Sequence, residues 1–323
     1  MKAPELVVSA TPHIHSGNSV RKMMLSIIIA LLPAVGMGYY LYGFAALKVI
    51  AISVISAVVW EAIFQKMMGR KITVSDLSGA ASGLIFAMLL PPTLPWWIII
   101  IGTLLVILLG KEIYGGLGCN PFNGVLVAYV ALQLSYPQQM IAWAIPGGDL
   151  MTEFPPLQVL RDEGVSSLEM YFTNKNLLLG IPIIGAIGEV SKLALLLGGI
   201  FLIVRRTISW YIPVSFLLGM VIFSGIFWLS NAEQYASPVF HLLAGGGFLA
   251  AFFLATDPIT SPVTKPGMII YGLLCGVLAM TIRMWSQWID GAYFAIFIIS
   301  MLTPLLDKIK PRVYGRVKAS VSS

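Results

Sequence analysis

RKMMLSIIIALLPAVGMGYYLYGFAALKVIAISVISAVVWEAIFQKMMGRK, residues 21–71, is the stretch that decides the architecture. Two apolar runs, 23–43 and 47–66, lie between Arg21 and Lys22 at one end and Lys66, Arg70 and Lys71 at the other. A helix of about 20 apolar residues crosses the hydrocarbon core of a bilayer. Basic loops resist translocation, so the two basic ends belong on one side and the runs form a transmembrane hairpin. Further runs of this kind follow at 75–91, 95–110, 117–136, 185–204, 210–229, 239–256, 268–285 and 291–307. Threaded with the N-terminus inside, the inner gaps collect Lys2, Arg21, Lys22, Lys66, Arg70, Lys71, Lys111, Arg205, Arg206, Lys265, Lys308, Lys310, Arg312, Arg316 and Lys318. Of the 20 Lys and Arg, only Lys48, Arg161, Lys175, Lys192 and Arg283 fall outside or at outer helix ends. The expectation is an all-α membrane protein of about ten transmembrane helices, multi-pass in the plasma (inner) membrane, with both termini cytoplasmic.

Composition agrees. The chain is 58% hydrophobic and 11% charged, against roughly a quarter charged in a soluble domain. Its formal charge of +6 is no nucleic-acid footprint, because the cations flank apolar spans and suit an anionic leaflet. The first 20 residues are polar and the first apolar run leads into a second, which is not the pattern of a cleaved signal peptide. Cys119 and Cys275 lie in apolar spans without ligand spacing, so a disulfide or a metal site built by this chain alone is not expected.

Only one connection is long. Residues 137–184 separate a first unit, 1–136, from a second, 185–323, and fall on the external side of the threaded chain. The connection starts with Ile145-Pro146-Gly147-Gly148-Asp149, continues through Pro155-Pro156, and is mildly acidic. Its apolar residues Met151, Phe154, Leu157, Leu160, Met170 and Phe172 predict an ordered cap on the membrane face. The two units echo each other. Ser78-Gly79-Ala80-Ala81-Ser82-Gly83 before Leu89-Leu90-Pro91-Pro92-Thr93 is matched by Ala244-Gly245-Gly246-Gly247-Phe248 before Ala255-Thr256-Asp257-Pro258. With five spans in each half, such a repeat is inverted across the membrane, a known way to build a central site from interrupted helices.

The most unusual run is Gly110 to Asn123, with four glycines, Pro121, Asn120 and Asn123. It disfavours an uninterrupted helix. Irregular backbone at membrane depth persists only when buried in protein or lining a cavity. A tight turn and a polar ligand contact both satisfy that condition. Glu112, in the same run, is an ionisable candidate for an ion pathway. Glu189 and Lys192, three apart, predict a helix-surface pair, and Glu189 is a second pathway candidate. Asp257 is a third, within Ala255 to Thr264, where hydroxyls either bind an ion or cap a helix. His13 and His15 form a short pair of ordinary surface histidines, and His241 reads as a satisfied interfacial histidine. Trp96, Trp97, Trp143, Trp210, Trp285 and Trp288 sit near span ends as an aromatic belt. No nucleophile elbow, phosphate loop or dinucleotide fingerprint is present, and no residue is assigned as catalytic.

Taken together, these stretches resemble the RnfD/NqrB family of membrane proteins. The resemblance runs through Thr11 to His15, Leu90-Pro91-Pro92 to Trp97, Lys111 to Asn123, Gly188-Glu189-Val190-Ser191, Phe240-His241-Leu242 and Ala255-Thr256-Asp257-Pro258. It implies ten spans in two inverted five-helix repeats, a urea-transporter-like fold. It also implies an Rnf-type assembly, with the A, B, C, E and G proteins of such a complex as partners. That assembly passes electrons from ferredoxin to NAD or another acceptor and moves Na⁺ or H⁺. In the family a threonine of the outer loop, within Ser-Gly-Ala-Thr or Ser-Ser-Ala-Thr, carries FMN through a phosphoester. The matching stretch here is Ser166-Ser167-Leu168-Glu169, with Glu169 at the threonine's place. A carboxylate forms no stable ester of that kind and repels the phosphate. Ser166, Ser167 and Thr173 are the hydroxyls nearby, so a flavin is expected to be noncovalent, displaced to one of them, or absent. Asn120 and Asn123 are the other candidate flavin contacts. Two further classes remain open on the sequence: a stand-alone channel or transporter for a small polar solute, and a structural anchor without a cofactor.

Overall fold

A computed structural model of the chain describes residues 19–143, 154–181 and 183–309. The His13–His15 pair, the Ile145–Asp149 start of the long connection and both termini lie outside the described residues. Every regular element among the described residues is helical. Four helices are long and apolar enough to cross a membrane unaided: α1 (Val20–Tyr42), α2 (Phe44–Met67), α11 (Tyr211–Ser230) and α14 (Lys265–Trp285).

The first hairpin forms as its sequence predicts. Ser19 caps α1 by accepting from the Lys22 N–H at 3.2 Å. Gly43, at φ 57°, is the only residue between α1 and α2. A left-handed backbone there is costly for any residue with a Cβ, so glycine makes the hinge.

Elsewhere the helices are shorter than the apolar runs that contain them. In run 75–91 the helix is α3 (Ser78–Met88), stopped by Pro91-Pro92, because a proline bars the residue before it from helical geometry. Next come α4 (Trp96–Ile107), which widens into a π turn at Leu108–Glu112, and α5 (Gly124–Ser135). The connection holds α6 (Pro137–Met140), α7 (Pro156–Glu163), α8 (Val165–Tyr171) and α9 (Asn174–Leu179). In run 185–204 the helix is α10 (Lys192–Val204), capped by Ser191, and 185–191 is irregular. Run 239–256 is broken: α12 (Pro238–Leu243) ends before Gly245 at φ 67°, and α13 (Gly247–Leu249) restarts the helix and runs into a π segment, Ala250–Leu254. The described residues close with α15 (Ala292–Ser300) and α16 (Thr303–Leu306).

Packing explains the glycines. Gly198 of α10 faces the Ala30 carbonyl of α1, and Gly276 of α14 faces the Phe216 carbonyl of α11, each with no room for a side chain. Where α3 ends, Ile187 N–H donates to the Leu90 carbonyl at 3.1 Å and Gly188 N–H to the Met88 carbonyl at 2.9 Å. A helix end leaves its last carbonyls free, and hydrocarbon offers them no water. Here the turn before α10 takes them up.

The long connection forms a small core of its own. Leu157, Val159, Leu168 and Leu177 bury against Ile183, Ala236, Phe240 and Ala244, with Leu160 and Phe172 packed on them. Met170 is an exception, 76% exposed. The side of the molecule that carries this cap is called the loop side below, and the opposite one the far side.

Candidate functional site

Three polar sites lie inside the helix assembly. The first is a charge cluster held by α2, α3 and the π turn after α4. Glu61, Lys111 and Glu112 are 0%, 7% and 1% exposed. The Lys111 ammonium donates to the Glu61 carboxylate and, at 2.6 Å, to Ser78 Oγ. The Gln65 amide donates to Glu61 Oε1 at 3.3 Å and Glu112 Oε1 at 3.1 Å. Arg70 donates to the Glu112 backbone carbonyl at 3.1 Å and lies 3.5 Å from its carboxylate. Two anions therefore meet two cations. A single unpaired charge at this depth is strongly unfavourable, whereas a closed, hydrogen-bonded set is tolerated. The π turn adds a residue to the helical turn and so redirects the side chains that follow it, here Lys111 and Glu112. Glu61 is absent from the sequence-derived candidates. Its signal was available, since it is a lone carboxylate within an apolar span.

The second site is a far-side cavity lined by Asn120, Asn123, Lys111, Asp257, Phe252 and Phe253. Residues from both halves meet in it. Asn123 caps α5 by accepting from the Val125 N–H at 2.9 Å, and the Asn120 amide donates to the Phe122 carbonyl at 2.8 Å. Asp257 accepts from Thr260 Oγ1 at 2.8 Å, while Thr264 caps α14. Of the two alternatives for that segment, the structure shows the helix cap, at Thr264, while the Thr260 hydroxyl is spent on Asp257. Gly115, Gly116 and Gly118 all take positive φ, which makes the start of run 117–136 a folded turn rather than helix.

The third site is a loop-side cavity bounded by Tyr129, Trp143, Trp288 and Phe294, with Gln133, Glu189, Lys192 and Asp290 as its polar members. The Tyr293 hydroxyl donates to the Glu189 carboxylate, and the Tyr129 and Tyr293 rings meet edge-on at 4.9 Å. Asp290 accepts from Arg283 Nε at 2.9 Å, from Gly246 N–H at 2.5 Å and from Ala292 N–H at 3.0 Å. The Trp143 indole N–H is buried with no hydrogen-bond partner. Gly246 passes so close to Tyr293 and Glu189 that a side chain there would strike both.

Two expectations are corrected here. Glu189 and Lys192 do not pair along a helix surface. Ser191 starts α10 at Lys192, Glu189 precedes it in a turn, and the ammonium donates to the Glu189 backbone carbonyl. His241 is not satisfied either: its Nδ1 is buried without a partner, while its carbonyl accepts from Arg283 at 2.7 Å. Asp290 and Tyr293 carry no signal in the sequence, whereas Arg283 is the one charge within the apolar run 268–285. Charges seven apart at a span end have no distinctive spacing.

The family model described as NQR2, RnfD, RnfE family matches residues 7–315. The chain belongs to this family. It is 39% identical over 323 residues to the D component of the Na(+)-translocating ferredoxin:NAD(+) oxidoreductase complex of Acetobacterium woodii, covering 98% of each chain. It is 35% identical to the D component of the ion-translocating oxidoreductase complex of Salmonella paratyphi A, covering 96% of this chain and 99% of that one. The Salmonella newport protein of the same name is 34% identical over 347 residues.

For this family member, the hydroxyls of the loop-side cap stand apart from both cavities. Ser166 is exposed on α8, and Ser167 Oγ donates to the Glu163 carbonyl at 3.1 Å. Thr173 precedes α9 with no side-chain cap bond, and Glu169 falls within α8. Ser166, Ser167 and Thr173 line neither the loop-side nor the far-side cavity.

The charge cluster yields a stability prediction. Lys111→Met leaves Glu61 buried without its cation, which costs about 3–5 kcal/mol. Lys111→Met combined with Glu61→Gln should recover much of that. Thermal melting of the solubilised protein measures both, and equal melting of the single and double variants would show that the pair is not coupled.

Proposed function

We propose that this chain is the D-type membrane component of an Rnf-type complex that couples ferredoxin oxidation to reduction of NAD or another acceptor and to Na⁺ or H⁺ translocation. The observation that carries the proposal is the end-to-end match to the Acetobacterium woodii protein. By that likeness its partners are the A, B, C, E and G proteins of such a complex, with ferredoxin reached through them.

Ten spans in two inverted, urea-transporter-like repeats are supported by the way packing recurs. In the first half α2 packs on α3 and α4, and α4 on α5. In the second half α11 packs on the π segment after α13 and on α14, and α14 on α15. Across the two, α1 packs on α10 and α5 on α15. An aspartate or asparagine also holds the start of the fifth helix in each half, Asn123 before α5 and Asp290 before α15. The basic-residue bias favours an external loop side and cytoplasmic termini in the plasma membrane.

A flavin held without a covalent bond suits the loop-side cavity. Tyr129, Trp143, Trp288 and Phe294 offer aromatic surface, and the Trp143 indole N–H and Lys192 offer donors to a heteroaromatic edge. A bound FMN would supply one- and two-electron transfer there. The chain's residues would bind it, orient it and exclude water. The cap argues against the family's covalent link: Ser167 spends its hydroxyl on a backbone carbonyl, and Glu169 cannot form the ester. Asn120 and Asn123 are the polar contacts for a second ligand on the far side. Asp257 and Glu189, at opposite cavities, and Glu112, in the charge cluster, are the candidates for ion movement.

Three outcomes test this reading. A reporter enzyme active only in the cytoplasm should work when fused after Ser323, and a cysteine at Ser166 should react with an impermeant thiol reagent from outside. The opposite pattern would invert the orientation. Intact-mass measurement of the denatured chain should show no flavin-sized addition, and an addition mapping to Ser166, Ser167 or Thr173 would overturn the noncovalent assignment. Asp257→Asn should lower ferredoxin-driven Na⁺ uptake per assembled complex in vesicles severalfold, and unchanged uptake would remove Asp257 from the pathway.

A further inference from the structure

An open cleft of about 420 Å³ lies on the loop side, between α6, α7 and the turn that joins α14 to α15. Gln133, Ile141, Trp288 and Ile289 line this cleft and also line the loop-side cavity. Those side chains are the partition between the two spaces. Trp288 and Ile289 belong to the turn, and the Trp288 ring stacks on Phe294 of α15 at 4.8 Å.

The turn is anchored at both ends. Ser286 N–H donates to the Ile282 carbonyl at 2.9 Å, and Asp290 is pinned by Arg283, Gly246 and Ala292. Between those anchors, Trp288 N–H donates to Ser286 Oγ at 3.0 Å, a bond within the turn itself. One side chain of the cap reaches across to it. Arg161 of α7 donates to the Gln287 carbonyl at 2.5 Å and to the Ser286 carbonyl at 2.7 Å. Bonds from a guanidinium are charge-assisted, and its planar fork suits two acceptors at once. α7 is a firm base for this clamp, because Leu157 and Val159 are buried in the core of the cap. The turn, by contrast, borders open space twice. Arg161 and Ile289 line the cleft and also, with Ser286, a second crevice of about 410 Å³.

The size of the cavity calls for a wall that moves. Its free space is about 60 Å³, whereas an apolar cavity of about 150 Å³ is what holds a single benzene ring. A planar ligand of more than one ring therefore enters only when part of the wall is displaced. The turn is a part of that wall with open space beside it and a single side chain clamping it to the cap.

We propose that the cleft is the entrance to the loop-side cavity, with Trp288 and Ile289 as its door and Arg161 as the latch. A planar, multi-ring ligand enters when the two Arg161 hydrogen bonds break and the turn swings outward. The entrance is argued from this chain alone; only the identity of the ligand as a flavin rests on the function proposed above.

Thiol labelling of the purified complex tests the latch, in a Cys119→Ser background that removes the exposed native thiol of this chain. Ala186→Cys and Gly185→Cys each put a thiol at a buried position on the cavity wall, and Gly185 has room for a side chain. The probe is a pyrene maleimide, scored as added mass on this chain. Arg161→Gln should raise the labelling rate at both positions roughly tenfold, the effect of losing one charge-assisted hydrogen bond. Arg161→Lys, whose ammonium meets one carbonyl, should fall between. Lys175→Gln, at another exposed cation of the cap, should change nothing, and Arg161→Gln should not alter labelling of Ser166→Cys on exposed α8. Unchanged rates at 185 and 186 would overturn the latch. So would an equal rise at 166, which reports a loosened cap. Noncovalent flavin, followed by its fluorescence, should leave the Arg161→Gln complex faster by the same factor. Faster labelling with no flavin released from either complex would leave the entrance standing and remove flavin as its ligand.

Discussion

The fold depends on satisfying a helix that stops inside the protein. When α3 ends at Met88, its last carbonyls are buried away from water, and a buried carbonyl left unmet is costly. The Met88 and Leu90 carbonyls are met by N–H groups of Gly188 and Ile187, nearly a hundred residues on. That contact ties the first half to the entry of α10. It requires Gly188, because a side chain there would collide with Met88, and it keeps residues 185–191 out of the helix. Glu189 is consequently left in a turn facing the loop-side cavity.

The same constraint governs the charges. Glu61, Glu112 and Lys111 are held at depth by pairing with one another, with Gln65 and Ser78, and with the exposed Arg70, which leaves one Glu61 carboxylate oxygen unmet. Asp290 and Arg283 are matched in the same way, with two backbone N–H groups completing the carboxylate. The polar atoms left without partners are few among the described residues. One of them, the Trp143 indole N–H, borders the loop-side cavity. That cavity combines aromatic walls with a few polar groups, the usual make-up of a small-molecule site. Its far-side counterpart offers amides and a carboxylate.

Much of this protein could be read from its residues in order. Hydropathy and the placement of Lys and Arg determine that it is a polytopic helical membrane protein, because the transfer cost of each residue is local and adds along a span. The first hairpin was legible as two runs, 23–43 and 47–66, while its one-residue hinge at Gly43 appears only in the structure. The stretches from Leu90 to Trp97, Lys111 to Asn123 and Ala255 to Pro258 were enough to point to the family. The apolar residues of the long connection foretold an ordered cap, and α7 to α9 form one.

What the residues in order did not determine is who meets whom. Glu61 and Lys111 are 50 positions apart, and Tyr293 and Glu189 are 104 apart. No spacing rule links such pairs, since they come together only when α2 packs on the turn after α4 and when the start of α15 meets the turn before α10. An apolar run likewise does not reveal that its helix stops short, as in 75–91 and 239–256, because hydropathy counts apolar surface and is blind to the partner that accepts a freed carbonyl. Tertiary packing supplied those partners, and with them the two cavities and the positions of Asn123, Glu189 and Asp257 around them.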